Sequence, residues 1–274
     1  LNSLAMQTTL DARASGQDAT AMPEWASTHP DPAKRVVRAQ KGAAKYAAGG
    51  VRNRDAFLKA IDGLMYGDDP EQGVVEGRQF LFKPSLLKFT IPTGFTMQNG
   101  GNAVSISGNG GQAQFGGGKT TSTVEAHLDA VFKGVVGENS TTRRSATQTG
   151  SVNGITTYTT GARVATQSSG QVDVMIVAYQ WNTGERYHFV TLAPAGTSPF
   201  TSMLQSLSRM TNAEAAAIKT RKVKVVTVKS GQSVASLSGQ MAYDTLQTER
   251  FLTLNGLSSG ATLTAGQKVK IITY

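Results

Sequence analysis

No cysteine occurs in the chain, which excludes disulfides and thiolate metal sites; its avoidance is compatible with an oxidising periplasm. Histidine is nearly as scarce. The three present, His29, His127 and His188, are widely spaced and none begins a His-Glu pair, so the chain carries no HExxH zinc motif. No stretch approaches the roughly 18 apolar residues that a membrane helix needs, and no transmembrane segment is expected. The first ten residues offer neither a basic start nor a cleavage site, and the N-terminus is expected to be a cut through a longer protein. Acid is in deficit as well: 18 Asp and Glu against 27 Lys and Arg leave a net charge of +9. Six of the basic residues lie between Arg209 and Lys229, with only Glu214 against them. That stretch has no aromatic residue on which bases could stack, so a solvated basic linker is expected and nucleic acid is not.

What the chain does have is glycine, 30 of 274 residues, together with many Thr, Ser, Val and Ala, a mixture suited to short strands and tight turns. The N-terminal part is expected to be helical. Leu4, Met6, Leu10 and Ala14 fit a helix that ends near Gly16, and a second helix is expected over 33–47 after two proline pairs. Asn53 is placed to cap a third over 54–65, where Phe57, Ile61, Leu64 and Met65 recur at helical spacing. Asp68, Asp69 and Glu71 then mark a solvated turn rather than a cation site.

From Gln79 the apolar period changes to two, with Phe80, Phe82, Phe89 and Ile91. Strands joined by glycine turns are expected over 94–118. Gly116-Gly117-Gly118 before Lys119-Thr120 has the ending of a phosphate loop but the wrong upstream glycine spacing. An amphipathic helix is expected over 120–135, on Val124, Leu128, Val131 and Phe132. An antiparallel meander over 143–152, 155–163, 172–181 and 186–192 follows, closed by helices over 200–210 and 213–218. Tyr179, Trp181, Tyr187 and Phe189 either pack across strands or line an apolar groove, while His127 and His188 are expected to pack or face water. The expected fold is therefore α+β: short N-terminal helices over 1–70, an antiparallel β-sandwich-like domain with covering helices over 71–211, a basic linker over 212–221, and a βααβ module over 222–274. In the order of its elements the middle domain resembles PsbP-like or Mog1-like domains.

The last module resembles the LysM family. Gly231-Gln232-Ser233 follows its first strand, Leu254-Asn255-Gly256 ends its second helix, and Gly266-Gln267 precedes its last strand. The resemblance implies a glycan groove at Gly231, Gln232, Ser233, Leu254, Asn255 and Gly256. The sequence departs from the family over 245–251, where Thr-Leu-Gln-Thr-Glu-Arg-Phe replaces a short polar segment. Glycan binding and a module that only completes its host protein both remain open.

Met22-Pro23-Glu24-Trp25-Ala26-Ser27-Thr28-His29-Pro30, the helix after it, Gly63-Leu64-Met65-Tyr66-Gly67-Asp68-Asp69-Pro70 and the closing module together resemble the C-terminal half of BepA-like and HtpX-like HExxH zinc metallopeptidases. That resemblance implies that zinc and the catalytic groups belong to a preceding peptidase domain, and that His29 is a regulatory ligand able to approach that zinc. The chain as given is then not an enzyme and holds no cofactor. It is expected to serve substrate gating, docking or cell-wall targeting in the periplasm or cell envelope, with peptidoglycan or envelope proteins as partners. The alternative is a self-standing peptidoglycan-binding or scaffold protein.

Overall fold

Three helices open the chain in the computed structural model, which describes residues 2–14, 32–46, 53–108, 110–138, 140–166 and 170–274: α1 (Asn2–Ala14), α2 (Pro32–Ala43) and α3 (Arg54–Ile61). Helix α3 stops four residues short of the span its apolar spacing predicts. Gly63 takes a left-handed φ of 82°, and residues 63–66 leave the helix as extended chain. Leu58 is the buried residue of α3, whereas Phe57, Leu64 and Met65, expected on its inner face, are exposed.

Residues 68–219 form one compact unit, and residues 1–67 with 220–274 form another. The middle unit opens with β1 (Val74–Glu76), β2 (Gln79–Phe82), β3 (Leu87–Thr90), β4 (Phe95–Asn99), β5 (Val104–Gly108) and β6 (Gly111–Lys119). Helix α4 (Val124–Val136) follows, capped by the Thr123 hydroxyl, which accepts from the Ala126 N–H at 3.2 Å. Then come β7 (Gln148–Val152), β8 (Ile155–Thr166), β9 (Gly170–Asn182), β10 (Glu185–Pro194), α5 (Thr201–Ser206), β11 (Ser208–Arg209) and α6 (Asn212–Ala217).

The strands make two antiparallel sheets, ordered β1-β2-β3-β11 and β4-β5-β6-β10-β9-β8-β7. Period-two alternation explains how the larger sheet is covered on both faces. Tyr179 and Trp181 of β9, with Tyr187 and Phe189 of β10, join Phe80, Leu87 and Phe89 of the smaller sheet and Met203 and Leu207 in one core. The alternate residues Val174, Ile176, Ala178 and Val190 meet Leu128 and Phe132 of α4. Of the two readings open for the four aromatics, cross-strand packing is the one observed; Tyr179 is fully buried, and its hydroxyl donates to the Leu204 carbonyl at 2.7 Å.

The helix expected over 200–210 is interrupted. After α5 the chain straightens so that Ser208 and Arg209 pair with Lys88 and Leu87 as the fourth strand of the smaller sheet. Residues 212–217 are α6, close to the helix expected over 213–218 and within the stretch also read as the linker 212–221; it is held by a capping box between Thr211 and Glu214 and by the Lys88–Glu214 ion pair.

The last unit contains β12 (Lys222–Thr227), α7 (Val234–Ser238), α8 (Gln247–Asn255) and β13 (Lys268–Thr273), the two strands antiparallel. The βααβ order is thus present. Its core is Val223, Leu237, Met241, Phe251, Val269, Ile271 and Ile272, and Ile61 and Tyr66 of the N-terminal segment pack against it. Residues 63–66 run antiparallel to β12: the Gly63 N–H donates to the Val223 carbonyl, the Val223 N–H to Leu64 and the Tyr66 N–H to Arg221, each at 2.8 Å. The Asp62 carboxylate accepts from the Val225 N–H at 2.8 Å, and an Arg54 Nη2 donates to the Lys268 carbonyl at 2.7 Å. A three-stranded surface is the result, its third strand drawn from a segment more than 150 residues upstream.

Candidate functional site

Two short turns at one end of the β12–β13 pair carry most of the residues that the sequence singles out. In each, a glycine with positive φ, Gly231 at 79° and Gly266 at 87°, precedes a glutamine that folds its side chain back onto its own turn. Gln232 Oε1 accepts from the Lys229 N–H at 2.8 Å, and Gln267 Oε1 accepts from the Thr264 N–H at 3.1 Å. Ser233 caps α7 in a reciprocal box with Ser236. The turns abut, because the Gly266 N–H donates to the Val228 carbonyl and the Val228 N–H to that of Gln267.

Asn255 does different work from Gln232. Its amide behaves as one more peptide group on the edge of β13: Nδ2 donates to the Lys270 carbonyl at 2.8 Å, and Oδ1 accepts from the Lys270 N–H at 2.7 Å. Nδ2 also donates to the Phe251 carbonyl at 3.0 Å. The side chain is fully engaged by the fold. Leu254 packs against the module core, and Gly256 ends α8 at φ 64°. Replacing Asn255 with Ala strands the edge groups of Lys270, and a loss of about 2 kcal/mol is expected in urea melts. An unchanged midpoint would contradict this role. Gly256-Leu257-Ser258-Ser259-Gly260 has the spacing of a nucleophile elbow, but it follows a helix C-cap rather than joining strand to helix.

At the opposite end of the β12–β13 pair, where Lys222 pairs with Thr273, lies a basic and aromatic group. The Arg221 guanidinium sits 4.9 Å from the centre of the Tyr243 ring, and that of Arg250, from α8, sits 4.2 Å from the same ring. Arg221 is also 5.8 Å from the Tyr274 ring. Burial pushes the Tyr243 hydroxyl up to about 12. The aromatics missing from the basic stretch 209–229 are therefore supplied by segments at least fourteen residues downstream of it, which sequence proximity could not reveal.

In the middle unit, His127 of α4 and His188 of β10 are brought together, Nε2 to Nδ1 at 3.1 Å. Arg186 is buried on the same side. Its Nε and Nη2 donate to Gln180 Oε1 at 3.0 and 2.8 Å, and its Nη1 donates to the Ser122 and Thr123 carbonyls that open α4. Burial, and then the neighbouring His127, pulls His188 down to about 4; burial and Arg186 pull His127 down as well. The two acids of α4, Glu125 and Asp129, both pair with Arg144. Spacing alone gave no hint of this pair, since 61 residues separate its members.

Among the described residues no group of three His, Asp or Glu is placed to hold a metal ion. Asp68 and Asp69 accept backbone N–H groups of Val75 and Glu71. His29 lies outside the described residues. A cleft of about 60 Å3 between Phe80, Phe82, Phe115 and Tyr187 has room for roughly two water molecules.

Comparison with known proteins adds little. No family model matches the chain, and no curated protein does. Among solved structures it is similar to cyanobacterial PsbP from Synechocystis sp. PCC 6803, at 14% identity over 50% of this chain and 98% of that one, with a TM-score of 0.37.

Proposed function

We propose that this chain is the non-catalytic C-terminal region of a bacterial envelope zinc metalloendopeptidase, serving substrate docking or gating and tethering to the cell wall. The observation that carries the reading is the pairing of residues 63–66 with β12. The segment that resembles the end of a peptidase domain and the LysM-like module share one sheet, so the module is continuous with that end of the chain rather than hung on a linker. The middle unit is then an insertion, leaving at Gly67 and returning at Thr220. Zinc and the water-activating glutamate would be supplied by the preceding domain, with His29 approaching the metal.

The test is the parent open reading frame and its product. It should encode HExxH with a downstream glutamate ligand, and the purified protein should cleave unfolded substrate in a zinc-dependent way, while the present chain should not. A parent frame without HExxH, or hydrolysis by this chain alone, ends the proposal. The second reading, a wall-binding protein acting by itself, is favoured by the charge of residues 219–274, where eight basic residues face only Asp244 and Glu249. Pull-down on peptidoglycan with and without residues 222–274 separates wall tethering from its absence: equal retention removes that role.

A further inference from the structure

The segment over 245–251, where the module departs from the LysM-like pattern, supplies Arg250 to the arginine and tyrosine group. Thr245 provides the carbonyl that orients Arg250, whose Nε donates to it at 3.2 Å. Arg221 is oriented in the same manner, its Nε donating to the Ala242 carbonyl at 2.9 Å. Both planar groups are thereby fixed against one tyrosine ring by Nε, while the Nη edges, the ones that form a fork with an oxyanion, are not used in any of these bonds. Among the described residues neither guanidinium forms an ion pair with a carboxylate. Two like charges held at one ring repel each other, and a ligand oxyanion relieves that repulsion.

We infer that Arg221 and Arg250, seated on Tyr243, form an oxyanion site that takes the carboxylate or phosphate groups of a polyanionic chain. The site lies apart from the LysM-like groove residues in chemistry, since it needs a negative group rather than a neutral sugar. It does not depend on the peptidase reading.

The test titrates the full chain at low salt against two fluorescein-labelled probes, poly-L-glutamate and inorganic polyphosphate. Arg221→Gln and Arg250→Gln are each expected to weaken binding about tenfold to whichever probe the site accepts. The double variant Arg221→Lys with Arg250→Lys keeps the charge but loses the planar fork and the stacking, so it should weaken binding as well. Lys222→Gln with Lys224→Gln, which removes two exposed charges of β12 not stacked on the ring, should change binding less than twofold. Near-UV circular dichroism of the tyrosines reports that each variant is folded, and the lysine pair of arginine replacements covers the case in which glutamine disturbs the loop. Preference for one probe names the source of the oxyanion. The proposal is overturned by failure of both probes to bind, by arginine variants that bind as wild type, or by Lys222 and Lys224 mattering as much as the arginines.

Discussion

A polypeptide of residues 222–274 is expected to be largely unfolded at 25 °C, and residues 221–274 joined to 53–67 through a short Gly-Ser linker are expected to fold. The reason lies in the shared sheet. Cutting at Lys222 removes three backbone hydrogen bonds to residues 63–66 and the Arg54 and Asp62 contacts, at about 1 kcal/mol net for each bond. It also exposes the core that Ile61 and Tyr66 cover, at about 1 to 2 kcal/mol for each side chain. A module of this size has only about 3 to 8 kcal/mol of stability to lose. Because Tyr66 and Arg221 are hydrogen-bonded neighbours, the bypass linker replaces the middle unit without strain. Urea denaturation followed by far-UV circular dichroism is the measurement. Similar midpoints for the short and the joined forms would show that the N-terminal segment merely decorates the module.

The second large effect is loss of stability in mild acid. His188 is pulled to about 4 in the folded chain, whereas its usual value, and its value when unfolded, is near 6.5. Above pH 6.5 neither state carries the proton and stability is complete. As pH falls from 6.5 towards 4 the unfolded chain takes up the proton first, so stability declines, by about 3 kcal/mol for this one residue, and then levels off. His127, lowered by burial and by Arg186, acts in the same direction. The groups facing the pair are Arg186 from β10 and Gln180 from β9, while Glu125 and Asp129 of α4 are engaged with Arg144. Among the described residues no carboxylate is hydrogen-bonded to either ring to stabilise an imidazolium.

The carboxylates with the largest shifts, Asp173 and Glu214, both near 2, lose their contribution only below about pH 4.5, which leaves the histidine window clear. Replacing His188 with Gln should flatten the stability profile between pH 6.5 and 4.5. If variant and wild type decline in parallel across that range, the histidine pair is not the cause.

Much of the strand pattern was legible because strands carry a period of two and glycine turns punctuate them; β8, β9, β10 and α4 lie close to where that pattern put them. Helix ends were less so. The apolar spacing of 54–65 continued past Ile61, but Leu64 turns outward because its backbone is taken by β12, a partner that lies far along the chain. Likewise Ser208 and Arg209 look like the end of a helix until Lys88 and Leu87 offer an open strand edge. Of the candidate site, the glycine-glutamine turns were readable, since glycine at positive φ leaves a composition signal. The roles of Asn255 and Gln232 as internal hydrogen-bond partners were not.

By itself, then, the sequence determined the α+β character, the βααβ order of the last fifty residues and the lack of any HExxH or cysteine site, because these depend on local periodicity, turn chemistry and residue inventory. Only the tertiary structure decided that residues 63–66 complete the sheet of the last module, that His127 meets His188, and that Arg221 and Arg250 converge on Tyr243. Each of these joins segments distant along the chain, and hydrogen bonding, burial and charge act through space, where the spacing of residues in sequence carries no record of the approach.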